Sequence, residues 1–233
     1  MTEFVAISRR RVKLTAKKQL KEQYKNSLKA TWPLIISQVL KSVLFWGSVY
    51  LLLSGYVLAP KDASANWYLS KTFFGALFLL LTWSAKWAIV DFFQKPTVKR
   101  GYAVALQGFA PKRFGEAFLL AFVQKIQLFF WSFLFFPAIV KVFSYSQTYY
   151  AYKMDLLFDR KQGSLTDYVT ISRRVMTGRK RELFLLELSF IGWRLLSLLT
   201  LGLADFFVTP YLNTCRVVYS TQVFAQAIEG VRS

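Results

Sequence analysis

Eight ionisable residues stand inside otherwise apolar stretches of this sequence: Lys41, Lys71, Lys86, Asp91, Lys125, Glu187, Arg194 and Asp205. A charge in such surroundings is costly, so each is a candidate for ion pairing, for handling an anion or proton, or for contact with water. Lys41, Asp91, Glu187 and Asp205 lie close enough to the ends of their stretches to reach headgroups or water, and Lys71 and Lys86 can extend their stems part of the way. Lys125 and Arg194 fall about halfway along theirs. Arg194 keeps its charge in any environment and must meet an acid, carbonyls or water. Asp205 and Arg216 are expected at similar depth on facing helices, where they can pair. Lys141 holds the same place in the preceding hairpin as Arg216 in this one. Pairing is the favoured use of this set, ahead of transport or catalysis.

Other chemistry is sparse. The sequence has no His and one cysteine, Cys215, which excludes a disulfide framework or a Cys/His zinc site within one chain. Cys215 sits in an apolar stretch and reads as a small packing residue. There is no phosphate-cradling Gly loop and no nucleophile beside a base, so no metal, cofactor or catalytic residue is expected. Gly47, Gly75, Gly192 and Gly202 read as close-packing positions.

The elements that must carry these residues follow from hydropathy and charge. The chain is 55% hydrophobic and 18% aromatic, yet has a formal charge of +19. A nucleic-acid binder would spread its bases among polar segments, whereas here they cluster between long apolar runs. A bilayer core needs ~20 mostly apolar residues per helix, and four runs qualify: 34–59, 68–93, 114–136 and 183–208. The basic segment 1–32 is assigned to the cytoplasm, as is the loop carrying Lys95, Lys99, Arg100, Lys112 and Arg113. The loop with Lys61 and Asp62 falls outside. Four spans would leave Arg160, Lys161, Arg173, Arg174, Arg179, Lys180 and Arg181 outside, against the positive-inside rule. Two more polar helices, 138–158 after Pro137 and 211–228 after Pro210, restore it by crossing back. The alternative lays these two in the interface as amphipathic helices. The expected fold is therefore all-α: one transmembrane domain, 33–233, of six spans with both termini cytoplasmic. The two Tyr-Ser pairs, Tyr145-Ser146 and Tyr219-Ser220, follow similar strings and suggest two parallel hairpins from a duplication.

Two cytoplasmic amphipathic helices are expected. Ser164 and Asp167 form a capping box, and Gly178 is placed as a stop for a helix over 164–178. Its apolar face carries Leu165, Tyr168, Val169, Ser172, Val175 and Met176. Arg173, Arg174, Arg179, Lys180 and Arg181 on and after it are candidates for anionic headgroup contact, although topology alone suffices to explain them. The N-terminal stretch from Lys13 to Ala30 repeats the pattern. The basic N-terminus does not resemble a cleavable signal peptide.

The string SRRVMTGRKRELFLLELSFIGWRLLSLLTLG from Ser172, followed by TPYLNTCRVVY from Thr209, resembles the signature of a bacterial integral-membrane family, domain of unknown function 975. Tyr145-Ser146 and AKKQLK from Ala16 are also similar to that family. The chain departs from it at Phe158-Asp159-Arg160, where members often have Asn-Pro. The resemblance implies a multi-pass plasma-membrane protein and no established activity. The leading expectation is a non-enzymatic scaffold or modulator in envelope homeostasis. It would bind membrane lipids through anionic headgroups, or another membrane protein or a second copy, and no nucleic acid. A small transporter or channel for an anionic solute using Arg194 and Lys125 is the alternative, and a membrane-embedded lipid-acting enzyme the third.

Overall fold

The first helix, α1 (Arg9–Leu53), carries the basic N-terminal segment straight into the first apolar run. Pro33 lies inside it, and the backbone leaves helical geometry only at Gln23 (φ −131°, ψ 35°). The computed structural model describes residues 6–54, 65–96, 98, 100–158 and 164–232. Lys61, Asp62, Lys99, Arg160, Lys161, the Lys71 side chain and the end of the first run at Ala59 lie outside the described set. Next come α2 (Ala65–Gln94) and α3 (Pro111–Ser132), which starts with Pro111 in the first turn, where its fixed φ suits a helix. A 3₁₀ segment, Tyr102–Phe109, joins them and tucks under α2. A Cβ at Gly108 would stand 3.1–3.3 Å from the side chains of Leu80, Ser84 and Trp87, so glycine permits this approach. Among the described residues, three helical stretches are long and apolar enough to cross a membrane: Arg9–Leu51, Thr72–Gln94 and Pro111–Ser132.

Two of the remaining expected spans are broken, while 211–228 lies within one continuous helix over 205–232. In place of one helix over 138–158 there are α4 (Phe135–Ser144) and α5 (Thr148–Phe158), parted at Tyr145–Gln147. Hydroxyls explain the break: Ser144 donates to the Val140 carbonyl, Ser146 to Phe143 and Thr148 to Tyr145, competing with the backbone for its acceptors. A buried hydroxyl from the next helix closes the gap. Ser172 of α6 (Leu165–Val175) donates to the Ser144 carbonyl at 2.7 Å and accepts from the Gln147 amide at 3.1 Å.

Helix α6 has the capping box of Ser164 and Asp167, and Gly178 follows it at φ 79°. Part of its apolar face packs within the protein: Tyr168, Val169 and Ser172 are buried, with α6 packed on α5 and α3. Burial and a hydrogen bond to the Asp155 carboxylate push the Tyr168 hydroxyl up to about 12.

The expected span 183–208 is also interrupted. It becomes α7 (Lys180–Leu188) and α8 (Ile191–Leu199), parted at Ser189–Phe190, with a turn at 200–204 before α9 (Asp205–Arg232). Gly202 makes that turn at φ 86°, and a Cβ there would come within 2.6 Å of the Val39 Cα. Its amide donates to the Ser197 carbonyl at 2.8 Å, ending α8 in a left-handed cap. Pro210 does not end a span but lies within α9. A proline cannot bond the carbonyl four residues back; that carbonyl, Phe206, instead accepts from the Tyr24 hydroxyl at 3.0 Å.

Two buried clusters hold the bundle together. One joins α2, α3, α5 and α6 through Trp83, Trp87, Leu120, Tyr149, Tyr152 and Tyr168. The other joins the N-terminal arm of α1 to α7 and α9 through Val12, Ala16, Leu183, Phe190, Cys215 and Tyr219. Outside them, α1 exposes Leu40, Val43, Leu44, Phe45, Trp46, Tyr50, Leu51 and Leu53, and α8 exposes Ile191, Trp193, Leu195, Leu196 and Leu199.

Candidate functional site

Helix α1 brings one polar stripe to the site. Gln38, Lys41, Ser42 and Phe45 recur at helical spacing and line a cavity of about 560 Å³. Phe78 and Thr82 of α2, Arg194, Ser197 and Leu198 of α8, and Asp205, Thr209, Asn213 and Arg216 of α9 complete the wall. The α8–α9 turn shapes it, because Gly202 lets that turn press on Val39 while the Leu198 carbonyl accepts from the Trp46 indole at 2.8 Å.

Glu187 organises the charges. Arg216 donates to both its oxygens, from Nε at 2.6 Å and from Nη2 at 2.8 Å, in a bidentate fork. Arg194 donates to the same carboxylate at 2.7 Å. One acid thus faces two guanidiniums and leaves the group net positive. The Arg216 side chain is 21% exposed and that of Arg194 is 56% exposed, so Arg216 is the structural partner and Arg194 the one able to swing. Behind this pair lies a second cavity of about 70 Å³, lined by Lys86, Ser146, Gln147, Tyr149, Glu187, Arg216 and Ser220. The Lys86 ammonium stands 4.3 Å from the Tyr149 ring centroid, and Lys41 stands 4.1 Å from that of Phe78.

Asp205 and Arg216 do not pair. Both lie on α9, about three turns apart, which is too far to reach. Asp205 is buried and accepts from Thr209 at 2.8 Å and from Ser197, so it holds the α8–α9 turn and opens α9 with an acid, as the helix dipole favours. Lys125 does not line the cavity; it lies over Gly75, where α3 meets α2. Lys141 stands 4.1 Å from the Trp131 ring centroid. The two supposed hairpins also differ locally, since Tyr145-Ser146 is in a turn and Tyr219-Ser220 is inside α9. Gly47 and Gly192 face open space instead of a packed neighbour. Arg173, Arg174 and Arg181 are exposed, Lys180 is half-buried, and Arg179 pairs with Glu182 at 3.6 Å.

Sequence reasoning missed a buried ion centre. Asp91 of α2 meets Lys153 of α5 at 2.8 Å and Arg100 at 3.0 Å, and Gln107 of the 3₁₀ segment accepts from Lys153 at 3.1 Å. Nothing in the spacing of Lys153 within 138–158 marks it as a partner of Asp91. Lys41 stands in the cavity wall as part of the Gln38–Lys41–Ser42–Phe45 stripe, a readable helical period.

Residues 137–227, from α4 to α9, match the family model described as Protein of unknown function (DUF975). The chain resembles that family. The matched region contains Glu187, Arg194, Asp205 and Arg216; Val39, Lys41, Trp46 and Lys86 come from outside it. No curated protein and no solved structure matches the chain.

Proposed function

We propose that this chain is a multi-pass protein of the bacterial plasma membrane that binds an anionic, phosphate-bearing amphiphile in the cavity between α1, α2, α8 and α9. It would act without catalysis, as a scaffold or modulator in envelope homeostasis. The observation carrying this reading is the cavity wall itself. Lys41, Arg194 and Arg216 outnumber Asp205 there, and exposed Phe45 and Phe78 stand at its rim. Such a wall offers a charged seat for a headgroup beside an apolar rest for its tail.

The topology we propose keeps both termini cytoplasmic. Helices α1, α2 and α3 cross. The broken pair α4–α5 makes the return, since it begins where α3 ends and Lys153 meets Asp91 near the opposite end of α2. The pair α8–α9 enters as a re-entrant hairpin. Its turn meets α1 at Val39, about 10 Å beyond Trp32, whose indole bonds the Tyr102 carbonyl of the inner loop. A polar re-entrant turn is tolerated at such depth where protein covers it and a cavity adjoins it. Beyond Trp46, whose indole still bonds the Leu198 carbonyl, α1 ends in exposed Tyr50, Leu51 and Leu53. Membranes washed in alkaline carbonate should retain the full chain. Native mass spectrometry should find an anionic phospholipid on the wild-type protein and lose it in Lys41→Gln/Arg194→Gln. A wild-type protein released bare of lipid would sink the reading.

Anion passage is the second reading, favoured by the small cavity behind the Arg216–Glu187 pair. Flux through proteoliposomes that falls in Arg194→Ala would support it, and flux unchanged in Arg194→Ala and Lys125→Ala would remove both residues from that mechanism.

A further inference from the structure

The N-terminal arm of α1 forms a second basic site, distinct from the cavity. Arg9, Arg10, Lys13 and Lys17 share one side of the helix and, with Leu14 and Ser189, line a cleft of about 400 Å³. The floor is the point where α7 gives way to α8, and the Lys13 ammonium stands 5.3 Å from the centroid of the Phe190 ring. Among the described residues, no acid lines the cleft. Of the α7 carboxylates, Glu182 in the first turn is engaged by the Ile7 amide at 3.1 Å and by Arg179, and Glu187 in the last turn by Arg194 and Arg216. Four cations in one concavity, with no acid beside them among the described residues, make a place suited to an anion.

The surroundings identify the class of anion. Leu14, which lines the cleft, is 58% exposed, and Leu188 and Ile191, on either side of the helix break, are 47% and 48% exposed. A polyanion such as nucleic acid would leave these apolar groups in water. An amphiphile covers them, with its charged group among the bases and its chains along α7 and α8. Trp193, two residues on and also exposed, is the residue type that anchors at the boundary between headgroups and hydrocarbon.

We propose that this cleft seats the phosphate of an anionic diacyl phospholipid at the inner face of the membrane, its chains resting against Leu188 and Ile191. The site rests on the membrane reading above but shares no residue with the cavity. The arm would thereby be clamped to α7 and α8 by lipid as well as by the buried Val12 and Ala16.

The test uses the full chain in phosphatidylcholine vesicles carrying a minor share of phosphatidylglycerol with a photoactivatable group near its headgroup. Crosslinks located by peptide mass spectrometry should fall at Leu14 and at Ser189–Ile191. Arg9→Gln/Lys13→Gln/Lys17→Gln should lower the yield there roughly tenfold or more. The charge-keeping variant Arg9→Lys/Lys13→Arg/Lys17→Arg should retain it. Lys41→Gln/Arg194→Gln should also leave these crosslinks intact, which separates this site from the cavity, while alkaline extraction of the chain would sink the membrane reading instead. Wild-type crosslinks confined to other segments, or a yield unchanged in the Gln variant, would overturn the proposal. So would competition by inorganic phosphate as effective as by unlabelled phosphatidylglycerol, because the site would then belong to a free anion.

Discussion

At the scale of single residues, one carboxylate holds two arginines unequally, and the difference is measurable. Arg216 is half-buried and doubly bonded to Glu187, so Glu187→Gln leaves its guanidinium with weaker, uncharged acceptors. Removing one member of a pair away from water costs about 3 kcal/mol, and thermal unfolding in detergent should show a large fall. Arg194 is mostly exposed, and its bond to the same acid is worth about 1 kcal/mol or less. Arg194→Gln should therefore scarcely change the melting temperature. Equal losses in the two variants would contradict this assignment. Tyr24 offers a second case, because its hydroxyl bonds the carbonyl that Pro210 cannot use. Tyr24→Phe should cost about 1 kcal/mol. Pro210→Ala supplies the missing amide, so Tyr24→Phe should cost much less in that background; a cycle that is simply additive would count against the substitution of one donor for the other.

At the scale of elements, the breaks in the helices matter more than the helices themselves. The α8–α9 turn depends on Gly202, which has a positive φ and no room for a Cβ against the Val39 backbone. Gly202→Ala should cost about 2 kcal/mol or more, from strain and overlap together, while Gly47→Ala, facing open space, should be tolerated. Both are read from unfolding of the purified protein. The α4–α5 break depends on Ser172, whose hydroxyl serves an orphan carbonyl and an orphan amide at once. Ser172→Ala should cost about 2 kcal/mol, and exchange at the Gln147 amide should accelerate well before global unfolding. Protection at Gln147 equal to the wild type would mean that the gap is closed by something else.

At the scale of the whole molecule, the prediction concerns sidedness. In a Cys215→Ala background, Lys17→Cys should react with an impermeant maleimide only from the cytoplasmic side, and Ser54→Cys only from the outer side. Leu201→Cys, exposed in the α8–α9 turn that we propose is re-entrant, should resist the impermeant reagent from both sides yet be reached by a membrane-soluble one. Ready labelling of Leu201→Cys from outside would make the α8–α9 pair a full crossing, restoring six spans.

The sequence by itself determined the all-helical class, the three long apolar helices, the capping box at Ser164 and the resemblance over the later part of the chain. These are local properties: hydropathy over ~20 residues, a helical period, and side chains that bond their own backbone need no distant partner to be read. Only the tertiary structure decided where helices break and which charges meet. The run 183–208 is mostly apolar, and nothing in its composition announces that Gly202 will be pressed onto Val39 or that Ser189 and Thr200 will bond the preceding turn. The Asp205–Arg216 pairing failed for the same reason. It assumed a turn at Pro210, and Tyr24, far away in sequence, lets that proline remain inside a helix. Charge pairing and proline tolerance depend on what other segments bring to the spot, so Lys41 joined the cavity and Lys125 did not.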